Sequence, residues 1–473
     1  MIDPVRSMAL KNPHGLALEG PETQWTYAEL DGVVEERASR LSTLGAGPGV
    51  KVLLASELNI EAVEVVHSVF RTRSTLVPVN PRLLLGNEAF DQVNPEIVLV
   101  SKTLRKKYSP LLKNYNDRSD LAVDSDLLSV WVSKNLDEFK PDQLDGSANL
   151  PAALIFTSGT EGISKTIQIS HEALEHSAYA IGSRLSLAAT DRWYASLSLG
   201  HVGGLALVHR AAWNGATLLV DGEFSTERLV GMIEDREITH TSLVPTMLHD
   251  LIGTRGTKQV PSSLKVLIVG GAPTNESLLN EALSLGYPIV LTYGMTETCS
   301  QVTTATVELV KQKPGTAGAP IHGLEVKIDD EEIFVRGPTV ASDVTDEEGW
   351  FATGDLGGID ESGHLWVRGR QRDIIITGGV NVDPLRVANE IREVAGVSDA
   401  VVVGLENERW GETVGALVVL ESCESMSESA ILEILSVKLS KSELPRTISF
   451  AERIPTSPNG KIDFATVQSL LRS

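Results

Sequence analysis

The sequence predicts an α/β protein with a large N-terminal domain of layered α/β subdomains plus a β-rich section, followed by a small, mobile C-terminal α/β domain. Short apolar runs alternate with stretches of helical apolar spacing, which is typical of parallel sheets covered by helices. The chain has 473 residues, more than one hydrophobic core usually holds. The pattern also changes after residue 331 and again after the charged run at residues 369–373.

The predicted elements of the first 330 residues follow from this alternation. Strands are predicted at residues 50–55, 75–78 and 97–101, with a helix at residues 59–70. Residues 102–149 are polar and mixed, and we expect surface helices and loops there. The later predicted strands are residues 154–157, 217–220, 238–244, 265–269 and 289–292, and the helices among them include residues 205–213, 226–236 and 275–285.

Two domains are expected, at residues 1–369 and 370–473. Strands at residues 332–336 and 364–368 form a β-rich section near the end of the first domain. The second domain has its own pattern of a helix, two strands and a helix, which predicts a separate core. These four elements are residues 383–394, 397–405, 413–420 and 428–439.

Composition narrows the classes of function. The formal net charge of -22 argues against non-specific nucleic-acid binding, which needs a basic face. The two cysteines, Cys299 and Cys423, indicate neither a disulfide framework nor a metal cluster. The N-terminus lacks the apolar segment of a signal peptide, and the most apolar stretch, residues 196–213, contains two histidines and an arginine. We therefore expect a cytoplasmic protein without a membrane span, and the sequence leaves a homo-oligomer open.

The segment from Thr157 to Lys165 is a candidate phosphate-binding loop. It reads Thr-Ser-Gly-Thr-Glu-Gly-Ile-Ser-Lys and follows a predicted strand. Glycines let successive backbone N–H groups face an anion, hydroxyls donate further hydrogen bonds, and the lysine adds a full charge. The order of residues differs from that of a Walker loop. An ordinary strand-to-helix turn is the alternative interpretation.

Four further motifs follow this loop in order. They are Tyr-Gly-Met-Thr-Glu-Thr at residues 293–298, Thr-Gly-Asp at 353–355, Arg370, and Pro-Asn-Gly-Lys-Ile at 458–462. Together the five motifs resemble the adenylate-forming superfamily of acyl-CoA synthetases, adenylation domains and luciferases, over essentially the whole chain. The resemblance implies a ligase that joins a carboxylic acid to ATP with release of pyrophosphate. The acyl group then passes from AMP to coenzyme A.

The resemblance also implies a nucleotide site built from several motifs. Attack of a carboxylate on ATP brings two anions together, so cations and hydrogen-bond donors must offset their repulsion. The β- and γ-phosphates would be held by Thr157, Ser158, Gly159, Thr160 and Lys165, and adenine by Gly271, Ala272, Pro273 and Tyr293. The remaining implied roles are Asp355 with Arg370 for the ribose hydroxyls, Thr296 for the α-phosphate and Glu297 for Mg²⁺.

The small domain is implied to contribute three more residues. Lys461 would grip the carboxylate and the α-phosphate during adenylation, Gly379 would line the pantetheine tunnel, and Arg372 would be the hinge. Simpler interpretations exist for some of these groups. Asp355 could close a turn, Glu297 could be a charge at a helix N-terminus, and Lys461 could be a solvated lysine in an exposed turn.

Two residues bear on the identity of the acid. His201 begins a His-Val-Gly-Gly-Leu segment that resembles the acyl pocket of the superfamily, where the histidine gates or stacks on the acid. A satisfied core histidine is the alternative. Arg210 lies nine residues later in an apolar helical run, where an unpaired guanidinium would cost several kcal/mol. Its partner is either an internal Asp or Glu or a second carboxylate on the substrate.

Within the superfamily, Arg210 and residues 293–301 resemble the o-succinylbenzoate–CoA ligases of menaquinone biosynthesis, whose substrate carries two carboxylates. Other aryl- or fatty-acyl-CoA ligases, a carrier-protein-directed adenylating enzyme and a non-catalytic nucleotide-binding relative are the alternatives. Glu161 stands where relatives often have Thr or Ser, and Ser164 stands where Pro is frequent. Both departures bear on the affinity for the nucleotide.

Overall fold

The computed structural model describes residues 3–80, 87–117, 128–133, 150–157, 165–421, 426–456 and 462–472. The predicted α/β class is confirmed, with a large N-terminal part of several sheets and a small C-terminal part. The strands are β1 Leu16–Glu19, β2 Gln24–Thr26, β3 Lys51–Ala55, β4 Thr75–Val79, β5 Ile97–Ser101, β6 Tyr115–Asp117, β7 Leu128–Ser133, β8 Pro151–Thr157, β9 Lys165–Ser170, β10 Arg192–Tyr194, β11 Thr217–Leu219, β12 His240–Leu243, β13 Val266–Val269, β14 Ile289–Tyr293, β15 Thr303–Thr304, β16 Ala319–Pro320, β17 Glu325–Asp329, β18 Glu332–Arg336, β19 Phe351–Ile359, β20 Leu365–Arg370, β21 Ile375–Thr377, β22 Val380–Val382, β23 Val397–Asn407, β24 Gly411–Leu420 and β25 Thr447–Ala451.

The helices lie between these strands and cover the faces of the sheets. They are α1 Pro4–Lys11, α2 Tyr27–Thr43, α3 Ile60–Arg71, α4 Asn87–Val93, α5 Arg105–Tyr108, α6 His171–Leu185, α7 Val202–Asn214, α8 Thr226–Glu234, α9 Pro245–Arg255, α10 Glu276–Ser284, α11 Val307–Gln312, α12 Pro384–Arg392, α13 Glu428–Leu435 and α14 Phe464–Arg472. In the described part of the chain, no helix is both long and apolar enough to cross a membrane.

Two large sheets form the N-terminal part. One has the strand order β16-β15-β14-β13-β12-β10-β11-β1-β2, and its central pairs from β14 to β1 are parallel. The other has the order β6-β7-β5-β3-β4-β8-β9, with a parallel centre and antiparallel edges. Strands β17 to β20 form a separate antiparallel sheet, the predicted β-rich section.

The largest core lies between the two large sheets. It joins buried side chains of both sheets, such as Leu54 and Leu218, through helices α2, α3, α6 and α7. Local sequence sets the ends of these helices. The Asn59 side chain accepts a hydrogen bond from the backbone N–H of Ala62 and so caps α3. Helix α7 ends at Asn214 and is followed by Gly215, whose φ of 74° is a left-handed value that suits glycine.

The last hundred residues build their own core. Strands β21 to β25 form one sheet, and α12 and α13 pack on it around buried Val387 and Ile431. A second cluster under α14 contains Val467 and Leu471. The predicted helix at residues 428–439 is shorter in the structure, because α13 ends at Leu435.

The expectation of surface helices and loops at residues 102–149 was only partly right, because helix α5 lies there but two strands do as well. Strands β6 and β7 lie in this range and extend the second sheet, with β7 antiparallel to β5. Val130 and Val132 on β7 are buried and join the large core, whereas the strand's short length and polar flanks hid its alternation. Antiparallel edge strands therefore complete a sheet whose centre is parallel.

Candidate active site

The candidate phosphate loop connects two antiparallel strands. Thr157 ends β8, Lys165 begins β9, and the two residues are directly paired. The Thr157 hydroxyl donates a 3.2 Å hydrogen bond to the Lys165 carbonyl, and Lys165 is exposed. A strand follows the loop, so the alternative of a strand-to-helix turn was wrong. Ser158, Gly159 and Thr160, with the departures Glu161 and Ser164, lie outside the described residues.

Tyr293, Asp355 and Arg370 meet around one carboxylate. Asp355 is only 5% exposed, and its Oδ2 accepts a 2.8 Å hydrogen bond from the Tyr293 hydroxyl. Its Oδ1 lies 3.0 Å from Nε of Arg370, which is its register partner on β20. Burial, with the nearby Asp355 charge, raises the pKa of Tyr293, so the phenol remains a donor. Asp355 lies within β19, and its carboxylate contacts two side chains, so it does more than close a turn.

The predicted adenine residues lie at the same sheet edge as Tyr293. Strands β13 and β14 are parallel neighbours, so their carboxyl ends meet at one edge. Gly271, Ala272 and Pro273 follow the end of β13, and Tyr293 is the last residue of β14. Gly271 has a φ of 82°, which lets the backbone turn sharply there. The structure thus brings these two predicted segments together.

Thr296 and Glu297 begin a short 3₁₀ helix at Thr296–Thr298. Both side chains are partly exposed, and the Glu297 carbonyl accepts a 2.8 Å hydrogen bond from Ala341 N. The preceding turn requires Gly294, because a Cβ there would lie 1.7 Å from the Ser300 carbonyl oxygen. A partly exposed carboxylate such as that of Glu297 is a ligand type that Mg²⁺ prefers.

His201 and Arg210 lie at the start and in the body of α7 respectively, and they differ in burial. His201 is the residue before α7 and is partly exposed, whereas Arg210 is 3% exposed. Nε and Nη2 of Arg210 have no hydrogen-bond partner, and no described Asp or Glu forms an ion pair with it. Burial lowers the pKa of Arg210 to about 10, so the guanidinium is still cationic at pH 7. The alternative of an internal carboxylate partner therefore finds no support in the described residues.

The small domain places two of its three predicted residues in the described part. Gly379 has a φ of 82° in the tight turn between β21 and β22. Arg372 is in the 3₁₀ helix Gln371–Asp373, directly after β20. Lys461 lies outside the described residues, next to Ile462, which forms a β-bridge with Thr456. Roles for all three stay predictions.

The sequence pattern did not single out Trp193, which lies close to Arg210, or His240, which packs against Trp193. The Arg210 Cζ is 5.7 Å from the centroid of the Trp193 ring, and the His240 ring lies 5.2 Å from that ring. Both aromatic residues are on neighbouring strands and are fully buried. Apolar positions in a strand predict core packing, and no local signal separates such residues from the wall of a pocket.

Comparisons with known proteins show the family of the chain. The family description "AMP-binding enzyme" matches residues 5–343, and "AMP-binding enzyme C-terminal domain" matches residues 387–461. The 2-succinylbenzoate–CoA ligase of Bacillus cereus is 30% identical, over 96% of this chain and 95% of its own.

Two solved structures of the o-succinylbenzoate coenzyme A synthetase of Bacillus subtilis are similar to this chain. The complex with the acyl-adenylate intermediate OSB-AMP has 27% identity and a TM-score of 0.83, covering 99% of this chain and 98% of that chain. The complex with ATP and magnesium ion has the same identity and TM-score, covering 100% of this chain and 99% of the other. The likeness therefore extends through both domains of the fold.

Proposed function

The chain belongs to the AMP-binding enzyme family and is an ATP-dependent acid–CoA ligase that forms an acyl-adenylate, and we propose that its acid is 2-succinylbenzoate. It would thereby serve menaquinone biosynthesis. The observation that carries this choice is Arg210, a buried cation on α7 without a described carboxylate partner. The similar Bacillus ligase and synthetase are named for the same acid.

The charge of the acid fits the charge of Arg210. A buried guanidinium without an anion costs several kcal/mol, and a substrate with one carboxylate would leave that cost in place. In 2-succinylbenzoate, one carboxylate is adenylated and the second stays anionic. The second carboxylate would offset the charge of Arg210, while benzoate or a fatty acid would not. His201 lies toward the start of the same helix and would contact the acid nearer the reacting carboxylate.

The nucleotide would occupy the edge where β13 and β14 end. Asp355 would accept hydrogen bonds from the ribose hydroxyls, with Tyr293 and Arg370 fixing the orientation of its carboxylate. The adenine would lie between Tyr293 and the segment after β13. Thr157, Ser158, Gly159, Thr160 and Lys165 would contact the β- and γ-phosphates, and Thr296 the α-phosphate.

The exposed side of Glu297 fits the hard, oxygen-preferring ion that the family uses. When bound, Mg²⁺ would neutralise phosphate charge, which favours attack by an anionic carboxylate. Lys461 would add a second positive charge at the α-phosphate during this attack. Coenzyme A would then enter beside Gly379 and displace AMP. These assignments rest on the positions of the residues and on the family.

The division into residues 1–369 and 370–473 is part of the proposal. Arg372 would be the hinge, since it lies in the three-residue 3₁₀ helix between the last strand of one sheet and the first strand of the next. Rotation of the small domain about Arg372 would move Lys461 away from the acyl-adenylate and bring Gly379 close to it. A few residues at the end of an element are enough to absorb such a change of φ and ψ.

The test compares 2-succinylbenzoate with benzoate in the wild-type protein and in Arg210→Ala. The variant should raise KM for 2-succinylbenzoate on the order of 10- to 100-fold, the range for a lost charge-assisted contact, and change KM for benzoate far less. Arg192→Ala is a matched control on β10, because Arg192 pairs with Glu19 instead. Equal effects of Arg210→Ala on both acids would contradict the proposed substrate.

A further inference from the structure

The charged guanidinium of Arg210 is buried against an aromatic ring. The guanidinium lies over the indole of Trp193, with 5.7 Å between Cζ and the ring centroid. Trp193 is 0% exposed, and Arg210 is 3% exposed. A cation over an aromatic face in a desolvated place is stabilised electrostatically by the ring. Trp193 therefore stabilises the charge of Arg210 without a counter-anion.

The aromatic face leaves the donors of Arg210 available. A protein carboxylate in this place would accept hydrogen bonds from the guanidinium and would repel an anionic ligand. The indole face does neither, and Nε and Nη2 of Arg210 are without partners. An arrangement that keeps both the charge and the N–H groups favours an incoming anion over a neutral group.

The ring of His240 packs against the ring of Trp193. The two ring centroids are 5.2 Å apart at an interplanar angle of 33°, and the two residues are paired across β10 and β12. The His240 Nδ1 lies 2.7 Å from the Thr239 hydroxyl, and that hydroxyl accepts a 2.9 Å hydrogen bond from Arg192 N. Burial lowers the pKa of His240 to about 4, so the ring that packs against Trp193 is neutral at pH 7.

We propose that Trp193, supported by His240, is a positioning residue for acid recognition, because it keeps the Arg210 guanidinium oriented and unpaired for a second carboxylate. This inference rests on the proposed function, in which Arg210 contacts that carboxylate. It adds that discrimination between acids depends on an aromatic ring that need not touch the substrate. The ring would affect the preference for one acid over another, and it would not affect the chemistry of adenylation.

The experiment measures kcat/KM for 2-succinylbenzoate divided by kcat/KM for benzoate. Trp193→Met should lower this ratio roughly 5- to 30-fold, the fold-change that a desolvated cation–π contact of about 1–2 kcal/mol gives, mainly through KM for the dicarboxylic acid. Trp193→Phe keeps an aromatic face and should restore most of the ratio. Trp213→Leu is the control, since Trp213 is on α7 like Arg210 but stacks on His209.

The outcomes separate the two proposals. In an Arg210→Met background, Trp193→Met should cause no further fall in the ratio, because the cation it positions is gone. If Trp193→Met does not fold, His240→Leu makes a smaller cavity and should lower the ratio a few-fold. If Arg210→Ala lowers the ratio but the Trp193 and His240 variants leave it unchanged, the proposed role of Trp193 is overturned and the proposed substrate is not. A ratio unchanged in Arg210→Ala overturns the proposed substrate.

Discussion

The hydroxyl of Tyr293 donates a 2.8 Å hydrogen bond to Oδ2 of Asp355, across 62 residues of sequence. The bond joins the end of β14, in the parallel sheet, to β19 of the antiparallel sheet. It thereby fixes the carboxylate assigned to the ribose relative to the ring assigned to adenine. Two parts of the proposed nucleotide site are therefore joined by a buried hydrogen bond.

Removal of this contact should weaken ATP binding. Asp355→Ala removes the acceptor for the ribose hydroxyls and should raise KM for ATP roughly 10- to 100-fold, whereas Tyr293→Phe keeps the ring and should raise it about 3- to 10-fold. Pyrophosphate release at varied ATP measures both effects. Tyr287→Phe is the control, because it removes a buried hydroxyl that bonds Arg255 instead. An unchanged KM for ATP in Asp355→Ala would contradict the ribose assignment.

Lys461→Ala should block the first half-reaction and spare the second. Loss of one charge at the developing transition state commonly costs about 3–4 kcal/mol, so acyl-adenylate formation should fall roughly 100- to 1,000-fold. Thioester formation from supplied acyl-adenylate should stay close to wild type. Lys441→Ala removes an exposed lysine of the same domain and should change neither step. Equal loss of both steps in Lys461→Ala would rule out the assigned role.

Gly379→Ala should have the opposite effect. A φ of 82° is strained for alanine, so the turn before β22 should shift, and thioester formation should slow on the order of tenfold while adenylation is retained. Gly363 offers a matched control, since its φ is 79° and a Cβ there also meets no atom within 4 Å. If Gly363→Ala slows thioester formation as much as Gly379→Ala, the tunnel assignment fails.

In addition to His240, three histidines whose pKa is lowered by burial should make the fold sensitive to acid. Burial lowers the pKa of His67 and His171 to about 4 and that of His209 to about 3, while the unfolded chain protonates near 6.5. The unfolded state therefore binds more protons below pH 6.5, and stability falls as pH drops from about 6.5 toward 4. Each histidine should contribute a loss of about 2 kcal/mol between pH 7 and pH 5.

Denaturant unfolding at these two pH values tests the contribution of the histidines. His209→Phe keeps a ring between Phe70 and Trp213, and should remove roughly one third of the loss assigned to the three histidines. His249→Asn changes an exposed histidine and should leave the pH dependence as it is. A pH dependence unaltered in His209→Phe would show that other groups, such as paired carboxylates, cause it.

Much of the fold was predictable because periodicity reports local burial. Strands β3, β4 and β5 occur where apolar runs predicted them, since a parallel strand covered on both faces is apolar at most positions. Strands β6, β7 and β9 were not predicted. Each is an antiparallel addition beside an existing sheet, and its pairing depends on a partner distant in sequence.

The candidate site was predictable only where motifs carried it. The sequence pointed to Tyr293, Asp355 and Arg370 separately, but their common contact required the register of β19 with β20 and the approach of two sheets. Arg210 stood out by its charge in an apolar run, but the sequence did not decide whether its partner is an internal carboxylate or a carboxylate of the substrate. Its position over Trp193 depends on how α7 packs on β10, which a linear pattern does not encode.

The central claim, a ligase for an acid with two carboxylates, is tested most directly with the wild-type protein. Acyl-CoA formation is measured with ATP, Mg²⁺ and coenzyme A, and with 2-succinylbenzoate or benzoate as the acid. We predict 2-succinylbenzoyl-CoA with a kcat/KM at least roughly 100-fold above that for benzoate, as expected when a buried cation gains its partner. Equal or faster ligation of benzoate would contradict the account.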